Sequence, residues 1–135
     1  MASDLNSALQ AAVASVPECV AAGYVDLSTG MLLAIKTVDS HPQEILELLA
    51  AATADMFQGQ NVVTIENMFK KARGVEDGAH YFQEMIVNSD NLIHIFCRGK
   101  ANQEHVVAFV CRKSANLGMA LTKARAALPA LEGAV

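Results

Sequence analysis

The strongest constraint on the fold lies between Gln83 and Leu128. Leu92–Cys97 and Val106–Cys111 are short apolar runs rich in β-formers. The polar, glycine-containing stretch 99–103 separates them, which predicts a β-hairpin. Tyr81–Val87 precedes it across Asn88-Ser89-Asp90-Asn91 and predicts a third strand. Its mixture of Gln83 and Glu84 with Met85 and Ile86 suits the edge of a sheet. The hairpin strands are apolar on both parities, so both faces of that sheet are expected to be covered. Ser114 then opens a segment with Leu117, Leu121 and Leu128 at helical spacing, closed by Pro129.

Upstream, Leu5, Leu9, Ala12, Val13 and Val16 share one helical face. They predict a helix over Leu5–Val16, capped by Ser3 or Asp4 and stopped by Pro17. Cys19–Leu27 and Met31–Ile35 flank Ser28-Thr29-Gly30 and predict a second hairpin, again apolar on both parities. Ser40 with Gln43 forms a capping-box pattern for a helix reaching about Phe57, before Gly59. That helix carries two apolar stripes side by side. Ile45, Leu49, Ala52 and Met56 are assigned to the sheet. Leu46, Ala50, Thr53 and Phe57 then need another partner, and a second copy of the chain is the expected one. With Tyr81, Gln83 and Met85 of the edge strand, they make up the expected dimer interface. The segment 59–74 admits either a helix over Thr64–Arg73, with Ile65, Met68, Phe69 and Ala72 apolar, or a strand over Asn61–Ile65.

Composition removes several classes of function. With 135 residues, 53% of them hydrophobic, the chain suits one folded domain over 1–135 and not a disordered segment. No apolar run approaches the ~20 residues of a membrane span. No basic-then-apolar leader is apparent, so a cytoplasmic location is expected. A net charge of -4 leaves no footprint for nucleic acid. The four histidines are scattered, the glycines form no phosphate loop and no serine sits in a nucleophile elbow. Catalytic, metal and cofactor sites are therefore not expected. The three cysteines match no zinc spacing and read as small buried hydrophobes. A hairpin centred near Ala101 puts Cys97 opposite His105 rather than Cys111, which argues against a disulfide between them.

Two stretches carry a family resemblance. L-N-S-A-L-Q-A-A-V-A-S-V-P-E-C-V-A-A-G-Y-V-D-L-S-T-G looks like an N-terminal helix leading into a strand and a D-x-x-x-G turn. A-N-L-G-M-A-L-T-K-A-R looks like a closing-helix signature around Leu117-Gly118. In that order they resemble the roadblock / dynein light chain domain family, whose architecture is shared with longin and profilin-like folds. The resemblance implies an α+β fold: a five-stranded antiparallel sheet, the middle helix on one face and the N- and C-terminal helices on the other. Gly118 is expected to let the last helix approach the sheet closely. The resemblance also implies a homodimer in which middle helices and third strands meet, without catalysis or cofactor. Such a module regulates or scaffolds a Ras-like small GTPase or a motor or signalling complex. The alternative is a profilin-like sensor holding a small ligand between sheet and helix. Residues 59–77 depart from the compact family pattern.

Overall fold

The structure, a computed structural model, describes residues 2–39, 42–76 and 78–135. Its elements are α1 (Ala2–Ser15), β1 (Cys19–Asp26), β2 (Met31–Thr37), α2 (Gln43–Gln58), α3 (Gln60–Ala72), β3 (Glu84–Asn88), β4 (Leu92–Arg98), β5 (His105–Arg112) and α4 (Leu117–Gly133). The five strands form one antiparallel sheet in the order β2-β1-β5-β4-β3. Both expected hairpins are present, and the pairing of β1 with β5 welds them together. In the second hairpin Cys97 faces Val107 and Cys111 faces Ile93, so the expected Cys97–His105 register is off by two residues. The turn is centred one residue later, at Asn102, where Gly99 N–H bonds the His105 carbonyl at 2.7 Å.

The sheet is covered as the resemblance implies. Leu5, Leu9 and Ala12 of α1, with Val16 just beyond it, pack on one face with Ala120, Ala124, Leu128 and Leu131 of α4, against Tyr24, Ile95, Val107 and Phe109. Ala50, Ala54 and Phe57 of α2 pack on the other, against Val25, Leu27, Phe96 and Val106. Coverage stops at β2, where Met31 and Leu33 are exposed. The expectation of two covered faces therefore holds for β1 and fails for its edge neighbour.

The rotation of α2 corrects the stripe assignment. Leu46, Ala50, Thr53 and Phe57 are buried against the chain's own sheet, while Ile45 is 47% exposed and Leu49 56%. Two adjacent apolar stripes look alike in periodicity, and shape decides between them. Small Ala50 and Ala54 let the helix come close, and Phe57 meets Phe96 edge-on at 6.3 Å. Thr53 is buried at no polar cost, because its hydroxyl donates to the Leu49 carbonyl at 2.8 Å.

Helix ends differ from expectation in ways that tertiary contacts explain. Pro129 lies inside α4, which continues to Gly133. A proline there removes the N–H that the Arg125 carbonyl would use. The last turn persists because Leu131 is fully buried and Glu132 reaches the β4–β5 turn. The Glu132 carboxylate accepts from the backbone N–H of Lys100 (2.8 Å), Ala101 (2.8 Å) and Asn102 (3.0 Å). A Cβ at Gly99 would collide with the Asn102 carbonyl and with that carboxylate, so the turn requires glycine. Asn116, not Ser114, caps α4 by accepting from Met119 N–H at 3.0 Å. The first helix starts at Ala2, which places Ser3 and Asp4 inside its first turn. Ser40, the expected cap of α2, lies outside the described residues, and Pro42 stands at the N-cap. Within the segment 59–74, Gln60–Ala72 is helical, as α3.

Gly118 is exposed, and a Cβ there would meet only Asn116 Oδ1 at 3.5 Å. Ala120 and Ala124, both fully buried, make the close approach instead. Ala124→Leu is therefore expected to overpack the α4–sheet contact and to lower stability by about 1–3 kcal/mol in urea denaturation. Gly118→Ala should leave stability unchanged or raise it by up to ~1 kcal/mol, through helix propensity.

Candidate interaction surface

The α2-covered face of the sheet is only partly filled. At one end Val25, Leu27 and Val106 are buried; at the other Ala21, Ala108, Val110, Leu92 and His94 are half-buried. Between that bare floor and the flank of α2 lies an apolar groove of about 340 Å³. Ile45, Leu49, Ala52 and Met56 wall it on the helix side. Small residues make the space, since Ala21, Gly23 and Ala108 offer no bulk to meet the helix. His94 of β4 and Thr37 of β2 are polar members of the lining. Burial holds the His94 pKa below the ordinary 6.5, and its Nε2 bonds Ser89 Oγ at 3.0 Å.

The seven residues expected to pair two copies do not form one surface. Leu46, Ala50, Thr53 and Phe57 are consumed by the chain's own core. The large apolar side chains of α2 left exposed are Ile45, Leu48 (70% exposed) and Leu49. Met85 lies in β3 opposite Phe96 and packs on the α2-side core, while Tyr81 and Gln83 precede the strand. The strand is shorter than Tyr81–Val87 because a buried carboxylate takes its first amides. Glu66 Oε2 accepts from Tyr81 N–H at 2.7 Å and from Phe82 N–H at 2.9 Å. Beyond them β3 is an edge strand with Ile86 and Val87 exposed.

That carboxylate belongs to a polar hub which sequence reasoning missed. Glu66 is the buried residue of α3, whereas Ile65, Met68 and Phe69, the expected apolar face, are exposed. Its other oxygen faces His80 Nδ1 at 3.3 Å, and His80 Nε2 faces Glu104 Oε1 at 3.0 Å. Beside them Arg98 is 1% exposed. Its guanidinium donates to the carbonyls of Phe82 (2.8 Å), Gln103 (2.8 Å) and Phe57 (3.3 Å), and lies over the Phe57 ring at 5.2 Å. Burial lowers its pKa; the charges of Glu66 and Glu104 oppose that. The one sequence signal was the position of Arg98 at the end of an apolar strand, on the α2 parity. The hub ties α2, α3, the β3 approach and the β4–β5 turn together. Among the described residues no group of three His, Cys, Asp or Glu side chains is placed to hold a metal ion.

No family model and no curated protein matches the sequence. Solved structures do match. The gliding protein MglB of Thermus thermophilus superposes with a TM-score of 0.72 at 18% identity, over 98% of this chain and 88% of that one. A Roadblock/LC7 domain from Streptomyces avermitilis gives 0.67 at 12% identity, over 95% and 94%. Profilin II of Acanthamoeba castellanii gives 0.59 at 12% identity, over 96% and 97%. The fold is that of the roadblock/LC7 domain, within the wider profilin-like architecture.

Two outcomes follow from this geometry. Arg98→Met strands three carbonyls and should cost on the order of 3 kcal/mol, read as a shift in the urea midpoint. His94 binds a proton less readily folded than unfolded. Its contribution to stability is thus complete above pH 6.5 and lost as pH falls through the lower folded value. His94→Phe should flatten the acid limb of a stability–pH profile below pH 6.5 and leave the neutral limb in place.

Proposed function

Because the chain has the roadblock/LC7 fold, we propose that it is a non-catalytic homodimeric module that regulates or scaffolds a Ras-like small GTPase. The observation that carries the dimer is the coincidence of two uncovered apolar features on one face: the outward stripe of α2 and the groove beside it. Ile45, Leu48 and Leu49 of one copy suit the floor formed by Leu92, Ala108 and Val110 of the other. A two-fold axis makes the exchange reciprocal, so each side chain is buried twice. Each Leu or Ile so buried contributes about 1.5–3 kcal/mol, against the cost of association. The free edge of β3 lies in the same sheet and supplies backbone groups for antiparallel pairing. The GTPase as partner rests on the family resemblance of the two sequence stretches together with the fold.

A second reading draws on the same groove. Its volume of about 340 Å³ falls in the range of small-ligand pockets, roughly 300–1,000 Å³, and its lining is mostly apolar. A sensor of a small apolar molecule would retain that molecule through purification, and native mass spectrometry would detect the added mass.

Light scattering coupled to size exclusion should return the mass of two chains for the wild type. Ile45→Glu with Leu49→Glu should give a folded single chain, since both side chains point outward. Leu46→Glu with Phe57→Glu should unfold the protein, because those carboxylates would enter the core. A wild-type mass of one chain at micromolar concentration overturns the dimer. For the partner, the small GTPases of the native organism, each loaded with GDP or a GTP analogue, are titrated against the purified chain. Binding that depends on the nucleotide supports the reading, and no binding by any of them overturns it.

A further inference from the structure

The three cysteines, read from sequence as inert core residues, are not equivalent in the fold. Cys97 faces Val107 and Glu84, and burial pushes its thiol up to about 12. Cys19 lies directly opposite Cys111 across the β1–β5 pair. The type of pair matters. Arg112 N–H donates to the Glu18 carbonyl at 3.0 Å, while Cys19 N–H turns back to the Val16 carbonyl at 3.3 Å. Residues 18 and 112 thus carry the ladder bond, and Cys19 and Cys111 form a non-hydrogen-bonded pair. In such pairs the Cα atoms are about 4.5 Å apart and the side chains are at their closest. A disulfide needs Cα atoms within roughly 4.4–6.8 Å and converging side chains. Both side chains point to the α1/α4 face and belong to one packed cluster.

The Cys19 thiol donates to the Ala21 carbonyl at 3.2 Å. Hydrogen bonding with Cys111 lowers the Cys19 pKa, and the same contact, with burial, raises that of Cys111. Of the two, Cys19 is the sulfur that more readily gives up its proton. Cys19 is also the less enclosed of the two, 8% exposed against 0%. The surrounding backbone is braced. Glu18 sits in the left-handed region at φ 55°, with its carboxylate accepting from Ser114 Oγ at 3.1 Å and 3.9 Å from Arg112 Nη1.

We propose that Cys19 and Cys111 are a redox pair that closes into an intrachain, cross-strand disulfide on oxidation by a hydroperoxide. The Cys19 thiolate attacks the peroxide oxygen and breaks the O–O bond. This leaves a sulfenic acid on Cys19 and expels hydroxide from hydrogen peroxide, which takes up the proton the Cys19 thiol had released and becomes water. The Cys111 sulfur then attacks the Cys19 sulfur, the S–OH bond breaks, and the thiol proton leaves with the hydroxyl as a second water. Two thiols have lost two electrons and two protons, and one peroxide has taken them up. Cys19 has the attacking role because it is the more acidic and more open thiol; Cys111 resolves. The bond staples β1 to β5 on the face away from the α2 groove, so oxidation stiffens the sheet without covering that groove. Closing a loop that contains most of the chain restricts the unfolded state, which stabilises the fold.

The test uses the full chain, reduced and then treated with stoichiometric hydrogen peroxide. Free thiols are alkylated in denaturant and the intact mass and a non-reducing peptide map are read. The three alkylated cysteines of the reduced protein should fall to one, at Cys97, with the loss of two hydrogens and a linked Cys19–Cys111 peptide. The apparent Tm should rise and return on adding dithiothreitol. Cys97→Ser should behave as the wild type, and Cys111→Ser should leave Cys19 as a dimedone-reactive sulfenic acid. Three unchanged thiols, oxygen added without a link, or a disulfide between chains would each overturn the proposal. If Cys111→Ser does not fold, the peptide map of Cys97→Ser decides alone.

Discussion

The pairing of β1 with β5 is the contact on which the rest of the molecule depends. The β1–β2 hairpin alone is a marginal two-stranded unit, and β3, β4 and β5 form a three-stranded meander. Joined, they make a five-stranded sheet with β5 at its centre and a face on each side wide enough for helices. The pair runs from Cys19 against Cys111 to Asp26 against His105. Nothing local holds it, since the partners come from opposite ends of the chain. Such non-local pairing carries a loop-closure cost that later contacts must outweigh. The terminal helices supply those contacts: α1 and α4 pack on the joined strands and on each other, with Leu9 and Leu131 fully buried.

On the opposite face the balance differs. One helix faces a sheet wide enough for two, and its seat lies at one end. Phe57 fixes that seat, held edge-on to Phe96 and under the Arg98 guanidinium, while the Gln58 side chain donates to the Leu27 carbonyl. Arg98 is satisfied by backbone carbonyls, with Glu66 and Glu104 balancing its charge. Burying a cation is costly, and the hub offsets that cost by also satisfying the amides ahead of β3. The result anchors one end of α2 and leaves the other end beside a bare apolar floor. The proposed exchange of helices between copies is the simplest way to cover it, because the uncovered stripe and the uncovered floor have the same chemistry and lie side by side.

Much of this was legible in the sequence, for physical reasons that can be named. Strand parity and turn residues depend on neighbours a few positions apart, so both hairpins and the α1, α2 and α4 helices could be read locally. The two-layer cover followed from strands apolar on both parities and from the resemblance. The sequence by itself thus determined the helix or strand character of every element except α3, for which it admitted either, and that the sheet carries helices on both sides.

Tertiary structure alone decided the rest, because each remaining question turns on partners far apart in the chain. Which stripe of α2 faces inward depends on how Phe57 fits Phe96 and Arg98, so Leu46 and Ile45 exchanged the roles that periodicity assigned them. Pro129 does not end α4, because the burial of Leu131 and the hold of Glu132 on the β4–β5 turn outweigh one lost hydrogen bond. Glu66 reads as a surface residue of an amphipathic helix, yet it is buried because two backbone amides and His80 receive it. Cys19 and Cys111 lie at opposite ends of the chain, and only the β1–β5 register sets their sulfurs face to face.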